Sequence, residues 1–257
     1  MPALSPPAKS AITKMLLIGD SGTGKTGALA SLARAGYRLH ILDMDNKVQT
    51  GILPVVLKDE PTALGRVDYE ACRDKYKSSS LGPLIDGQPQ AYAKSLALLD
   101  KWTDGSIPAK WGPEHIFVLD SLTFFSDAAF AWAKGMNPSA KDPRQWFYTA
   151  QSAVEDSLSM LTSEQFHTNV IVISHVSWVD RPDGTMKGYP SSVGKALGPT
   201  IPSYFDNMAQ CETVGGKRSI KFIPTALIDL KTPVGPRMSA PLPIETGLAD
   251  FFKTLRS

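Results

Sequence analysis

The sequence predicts an α/β fold, a mainly parallel sheet flanked by helices. Three observations lead there. First, short apolar runs end repeatedly in polar residues: "KMLLIG" runs into Asp20, "HILDMD" contains Asp43 and Asp45, "IFVLDS" reaches Asp120, and "VIVISH" ends in Ser174 and His175. Runs this apolar suit strands buried on both faces, as in a parallel sheet. Second, stretches with apolar residues at helical spacing lie between them, "PQAYAKSLALLDKW" (89–102) and "WFYTAQSAVEDSLSMLTSEQF" (146–166). Third, strand and helix patterns alternate along the chain, as βαβ units require.

The elements follow in order. Residues 1–11 are rich in Pro and small side chains and read as a flexible arm; the start has no apolar core long enough for a secretory signal. "KMLLIG" is the first strand, and "KTGALASLARAG" is a helix with Gly36 placed as its stop. "YRLHILDMDN" is the second strand. Residues from about 50 to 88 mix charges, Pro and Ser and read as an irregular insertion over the core. "HIFVLDS" (115–121) and "NVIVISH" (169–175) are further strands. "KRSIKFIPTALIDLKTPVGPRM" alternates like late sheet strands. There is no internal repeat and no sharp change of composition, so 12–257 reads as a single domain.

Composition narrows the classes. The chain has 257 residues, 42% hydrophobic and 20% charged, ordinary for a globular protein. No apolar run approaches the roughly 18 residues of a membrane span. Cys72 and Cys211 are isolated, and the four histidines are scattered, so no zinc or disulfide spacing is present. A reducing cytoplasm fits. The net charge of +2 neither demands nor excludes a nucleic-acid partner.

"GDSGTGKT" carries the strongest chemistry. Gly19, Gly24, Lys25 and Thr26 meet the pattern Gly-x-x-x-x-Gly-Lys-Thr at a strand-to-helix turn, where a phosphate loop must stand. Glycines let backbone N–H groups wrap a phosphate, and the helix N-terminus adds positive potential. The nucleotide-binding set is therefore Gly19, Asp20, Ser21, Gly22, Thr23, Gly24, Lys25, Thr26 and Gly27. Lys25 would reach the β- and γ-phosphates, and Thr26 would hold Mg²⁺. Mg²⁺ also wants a carboxylate at the end of a neighbouring strand, and Asp120 supplies one. The competing readings are a glycine-rich turn for the loop and a helix cap for Asp120. Asp43, Asp45, Ser174 and His175 should converge on the same sheet edge, because ligands gather at the carboxyl ends of parallel strands.

Taken together, "GDSGTGKT", "ILDMD", "FVLDS" and "VIVISH" resemble the ATPase core of the RecA and KaiC-like superfamily. Within it the chain looks like phage-encoded RecA-like ATP-binding proteins, which include single-strand annealing recombinases. The resemblance covers roughly residues 12–245. It implies a RecA-like P-loop NTPase core and a Mg²⁺-dependent ATPase with ATP and Mg²⁺ as cofactors. It puts the carboxylate that polarises the attacking water at Asp45, where the family more often has Glu; Asp43 is the competitor. It makes His175 the γ-phosphate sensor, where recombinases usually carry an amide.

Further implications concern partners. Recombinases of this kind bind single-stranded DNA through two loops. The first would lie within 131–146, with Lys134, Lys141 and Arg144. The second would lie within 176–198, with Trp178, Arg181, Lys187, Tyr189 and Lys195. Basic groups for phosphates and aromatics for bases suit single strands. "DRPDGT" also reads as a plain hairpin turn. Relatives use a Lys or Arg near the C-terminus to reach a neighbouring subunit's nucleotide; Lys231 and Arg237 are the candidates, without the usual Lys-x-Arg spacing. Such a trans-acting cation implies self-association into a ring or filament. A single-strand-binding protein is a further implied partner, and the cytoplasm of a bacterial host the implied location.

Three function classes follow. The first is a DNA-handling RecA-like ATPase in phage recombination or replication. The second is a small-molecule P-loop kinase, disfavoured because 131–146 has a single Arg where a lid would want several. The third is a nucleotide-dependent scaffold or regulator that binds no DNA. A GTPase is disfavoured because "NKVQ" at 46–49 lacks the final Asp of a guanine reader.

Overall fold

The computed structural model describes residues 12–49, 51–80, 82–181 and 183–257; the expected arm at 1–11 lies outside them. The strands are β1 (Lys14–Ile18), β2 (Arg38–Asp43), β3 (Val67–Ala71), β4 (Tyr76–Lys77), β5 (Leu84–Ile85), β6 (Gly112–Asp120), β7 (Thr168–Ser174), β8 (Val176–Asp180), β9 (Met186–Pro190), β10 (Asn207–Val214), β11 (Lys217–Lys221) and β12 (Leu242–Pro243). The helices are α1 (Lys25–Arg34), α2 (Ile52–Val56), α3 (Pro61–Leu64), α4 (Ala91–Asp100), α5 (Leu122–Met136), α6 (Arg144–Thr162) and α7 (Gly247–Arg256).

The central sheet has the order β12-β11-β10-β1-β7-β6-β2-β3. Every neighbouring pair from β10 to β3 is parallel; only the β10–β11 and β11–β12 pairs are antiparallel. The reason lies in the side chains. β1 and β7 carry apolar residues on both faces, so both faces must be covered. Leu16 and Ile18 join Phe117, Leu119, Val170 and Val172 beneath α4, α5 and α6. Met15 and Leu17 join Ile41, Val118 and Ile171 beneath α1 and α7. The result is a sheet between two helical layers. α1 ends as its sequence predicts: Gly36 adopts φ 103°, its N–H donates to Ala33 O, and Tyr37 N–H donates to Leu32 O, which satisfies the last turn.

The segment expected to be an irregular insertion is more ordered than its composition suggests. Between 50 and 88 lie α2, α3, the β4–β5 pair and β3, which extends the central sheet in parallel with β2. β3 was hidden because it is an edge strand. Its sequence, Val-Asp-Tyr-Glu-Ala, needs only one apolar flank, and Asp68 and Glu70 broke the apolar run. The C-terminal stretch expected as late strands is regular only over β11. From there to Met238 the stretch contributes an isolated bridge, Lys231 to Met208, and a 3₁₀ turn at Gly235–Met238.

The amino-terminal edge of the sheet holds an aromatic–histidine cluster. The His40 ring stacks on Trp111 with centroids 3.9 Å apart, and its Nε2 lies 2.9 Å from His115 Nδ1. Trp102 meets His40 edge-on and donates its indole N–H to Asp68. His40 Nδ1 is buried without a hydrogen bond and sits 3.5 Å from Asp68 Oδ2. Burial, and then the neighbouring His115, push the His40 pKa down to about 4. The unfolded chain therefore binds the extra proton between about pH 6.5 and 4, so this contribution is full above pH 6.5 and is lost as pH falls toward 4. Asp120, which burial keeps protonated up to about pH 7, works in the opposite direction over the same range, so the His40 contribution is read from the difference between wild type and His40→Gln in urea unfolding at pH 7.5 and at pH 5. On going from pH 7.5 to pH 5 the wild-type midpoint should change less favourably than that of His40→Gln, and an identical pH dependence in the two would refute the assignment.

Candidate nucleotide-binding site

The carboxyl edge of the sheet brings the expected residues together. Pairing sets their level: Asp43 is in register with Asp120, Asp120 with Ile173, and Ile18 with Ser174. The chain then turns from β1 into α1 through Gly19–Gly24. Gly22 and Gly24 have φ 81° and 92°, a region other residues adopt at a cost. Gly19 is required for another reason, since a Cβ there would lie 2.4 Å from Cys211 O on β10.

Inside this loop Lys25 is held back over its own backbone. Its Nζ donates to Gly19 O at 2.8 Å and to Asp20 O at 2.9 Å. Burial pushes its pKa down, against the pull of Asp120, Asp20 and Asp45. Thr23 Oγ1 donates to Asp20 O at 2.8 Å and tightens the turn. Thr26 Oγ1 donates to Asp120 Oδ2 at 2.6 Å, tying the start of α1 to the end of β6. Asp120 is buried, which raises its pKa to about 7; the Thr26 hydrogen bond lowers it, Asp45 and Asp43 raise it further, and Lys25 offsets them.

One cleft is lined by Ser21, Gly22, Lys25, Thr26, Asp45, Asp120 and His175, with Gly24, Gly27, Lys47, Ile52 and Arg218 completing it. The two candidate water-orienting carboxylates differ sharply. Asp43 is fully buried and accepts N–H bonds from Lys47 and Val48, at 3.2 and 2.8 Å, so it shapes the loop after β2. Asp45 lines the cleft, with its pKa raised by burial and by Asp43. Ser174 is buried and donates to the carbonyls of His175 and Ser191, whereas His175 borders the cleft. His175 N–H donates to Thr123 Oγ1, and burial followed by the nearby Lys25 and Lys47 lowers its pKa.

The DNA candidates fare unevenly. The expected first loop is mostly helix, because α5 runs to Met136 and α6 starts at Arg144. Lys134 sits over the Trp146 ring, and Arg144 makes a bidentate pair with Asp142. Lys141 is exposed. In the second segment Arg181, Gly184 and Thr185 lie at the turn of the β8–β9 hairpin, with Asp183 accepting from Thr185 N–H and Oγ1. Trp178, Arg181 and Lys195 are exposed and Tyr189 is half-buried. Lys187 must be corrected: it is buried and its Nζ is engaged by Asp229, so it has no free charge for a phosphate. Lys187, Gly188 and Pro190 of β9 are all buried, and the partner Asp229 lies 42 residues on, which the local sequence does not reveal.

Neither expected trans-acting cation approaches this cleft in its own chain. Lys231 bridges Met208, level with Leu16 in the middle of β1. Arg237 Nη1 donates to Ser257 Oγ, in the group with Ala35 and Tyr37 beyond the far end of α1. Arg218 and Lys47 are the residues that sequence reasoning missed. The signal for Arg218 is the Gly215-Gly216 turn just before it, which marks a hairpin rising from β10.

The mainly parallel sheet and the phosphate loop define a P-loop NTPase fold. A family model described as an AAA domain matches residues 11–234, and the chain belongs to that family. No curated protein matches it. Among solved structures it is similar to the RadB recombinase, with 16% identity, 84% of each chain covered and a TM-score of 0.46. It is also similar to a prototypical ATPase of the type III secretion system of pathogenic bacteria, with 14% identity, 78% of this chain and 52% of that chain covered, and a TM-score of 0.45. No helix among the described residues is long and apolar enough to cross a membrane.

The loop geometry makes a direct prediction. Gly19→Ala should lower stability by about 2 kcal/mol or more, because either the loop or β10 must shift. Gly36→Ala, with open space around it but φ 103°, should cost less, about 1 kcal/mol. Thermal melts of the two variants test the order.

Proposed function

We propose that this protein binds Mg²⁺·ATP in the cleft above β1 and hydrolyses it. The observation that supports this is the meeting of Lys25, Thr26, Asp45, Asp120 and His175 on one cleft. The residues fit the group. The loop glycines Gly22 and Gly24, at positive φ, border that cleft and leave its backbone uncovered by side chains. Thr26 hydroxyl and Asp120 carboxylate, already 2.6 Å apart, are the oxygen donors that Mg²⁺ takes alongside phosphate oxygens and water. No cluster of three or more His, Cys, Asp or Glu among the described residues would hold a metal alone. The ion would neutralise charge on the phosphates when bound.

The chain's own groups have distinct tasks. Lys25 would exchange its loop carbonyls for phosphate oxygens, a stronger, charge-assisted pairing. Asp45 would orient the attacking water, and its raised pKa makes it a better proton acceptor. His175 would donate to the terminal phosphate and register its departure.

We further infer that the protein acts on single-stranded DNA, in the phage recombination or replication that the resemblance implies. The supporting observation is adjacency: β8 begins at Val176, directly after His175, and carries Trp178 toward Arg181. A hairpin anchored to a phosphate-facing residue has a lever for two states. The second reading, a nucleotide-dependent regulator without DNA, draws support from the prior engagement of Lys187 by Asp229 and of Arg144 by Asp142.

Lys25→Ala should abolish hydrolysis and weaken ATP binding, and near-normal turnover would reject the ATPase reading. Asp45→Asn should lower hydrolysis at least 100-fold with ATP affinity nearly unchanged, whereas Asp43→Asn should lower stability. For DNA, labelled oligonucleotide is titrated at several salt concentrations with an ATP analogue and with ADP. Tighter binding with the analogue is expected, with Trp178→Ala costing about 1–3 kcal/mol and Lys187→Ala leaving the salt slope unchanged. Equal, weak binding in both nucleotide states would favour the regulator.

A further inference from the structure

The β10–β11 hairpin overhangs the phosphate loop. Gln210 is the last residue of β10 in register with β1, yet β10 continues to Val214 before turning through Gly215 and Gly216 into β11. Arg218, opposite Thr213, therefore stands beyond the sheet edge. Its Cδ lies 3.1 Å from where a Cβ on Gly24 would sit, so the missing side chain at Gly24 is what lets the arginine lie against the loop.

Two further facts separate Arg218 from an ordinary surface cation. It lines the same cleft as Lys25, Thr26, Asp120 and His175. Among the described residues its guanidinium makes no hydrogen bond or ion pair, while Lys221 on the same strand is bound to Glu212 at 2.7 Å. The second cleft of the hairpin, about 680 Å³, also contains Gly22 and Arg218, so the arginine stands where the two spaces join. A rim cation without a partner, pressed against a glycine loop, is placed for an anion that the loop itself receives.

We propose that Arg218 contacts the triphosphate of the bound nucleotide in cis, from the hairpin side and opposite Lys25. This rests on the nucleotide reading given above. It assigns within one chain a charge that Lys231 or Arg237 of a neighbouring subunit was expected to bring. The planar guanidinium binds phosphate oxygens in pairs, so the substitution Arg218→Lys keeps charge but loses part of the contact.

The test uses the full chain as wild type, Lys25→Ala, Arg218→Ala and Arg218→Lys. Mg²⁺·ATP and inorganic tripolyphosphate are titrated by calorimetry, and hydrolysis is followed with single variants and with mixtures. Wild-type binding that Lys25→Ala loses supports the nucleotide reading; no wild-type binding overturns that reading and this inference together. Given wild-type binding, Arg218→Ala should weaken ATP and tripolyphosphate alike by about 10-fold, with Arg218→Lys in between. Unaltered thermal melts are expected, because the side chain is exposed. Mixing Arg218→Ala with Lys25→Ala should give no more hydrolysis than the two apart. Restored hydrolysis in the mixture would make the cation trans-acting and overturn the inference. So would unchanged affinities in Arg218→Ala, or a loss confined to ATP, which would move the contact to the nucleoside.

Discussion

β1 is covered on both faces and paired on both sides, and the rest of the molecule is arranged around that burial. Every side chain from Met15 to Ile18 is fully buried, and both backbone edges are taken, by β10 and by β7. No polar group can be placed on such a strand without losing its water. Polarity therefore begins abruptly at Gly19, and it begins at the same level on the neighbours, because parallel register carries Asp43, Asp120 and Ser174 to the same edge. The Thr26–Asp120 hydrogen bond fastens the edge across β7, from the helix after β1 to the end of β6.

Crowding carboxylates at that edge has an electrostatic cost. Asp120 is held back from ionising up to about pH 7, chiefly by burial, and Asp45 is shifted the same way by burial and by Asp43. Lys25 supplies the countercharge from within the loop, and its own pKa is lowered by the burial that puts it there. A divalent cation beside Asp120 would favour the ionised form, so taking up the cation and releasing a proton are linked. The same reasoning explains the contrast between Asp43 and Asp45. The carboxylate with two backbone N–H donors is a structural one, and the carboxylate two residues on faces the cleft.

The sequence was most legible where local pattern and tertiary demand agree. "KMLLI" could only be a buried strand, "GDSGTGKT" could only be tight and polar, and Gly36 ends α1 with the hydrogen bonds its position predicts. Legibility fell where one face of an element decides its fate. β3 carries Asp68 and Glu70 because it needs a single covered flank, and Lys187 is buried against Asp229, a partner that no local signal shows. The choice between Asp43 and Asp45 required knowing which backbone N–H groups were near. Arg218 is near the phosphate loop through a hairpin whose length, rather than its composition, brings it there.

The margins of the sheet carry a consequence for how copies of this chain would meet. One margin is β3, five residues with two carboxylates, already engaged by Lys94 and Trp102; the other is β12, two residues ending in a proline. Charge, brevity and a missing N–H all discourage the joining of strands from one molecule to the next. Among the described residues, growth by a continuous shared sheet is therefore disfavoured at both margins. The described surface offers copies of the chain helical faces and projecting hairpins instead, which can slide, rotate or release without tearing a ladder of backbone hydrogen bonds.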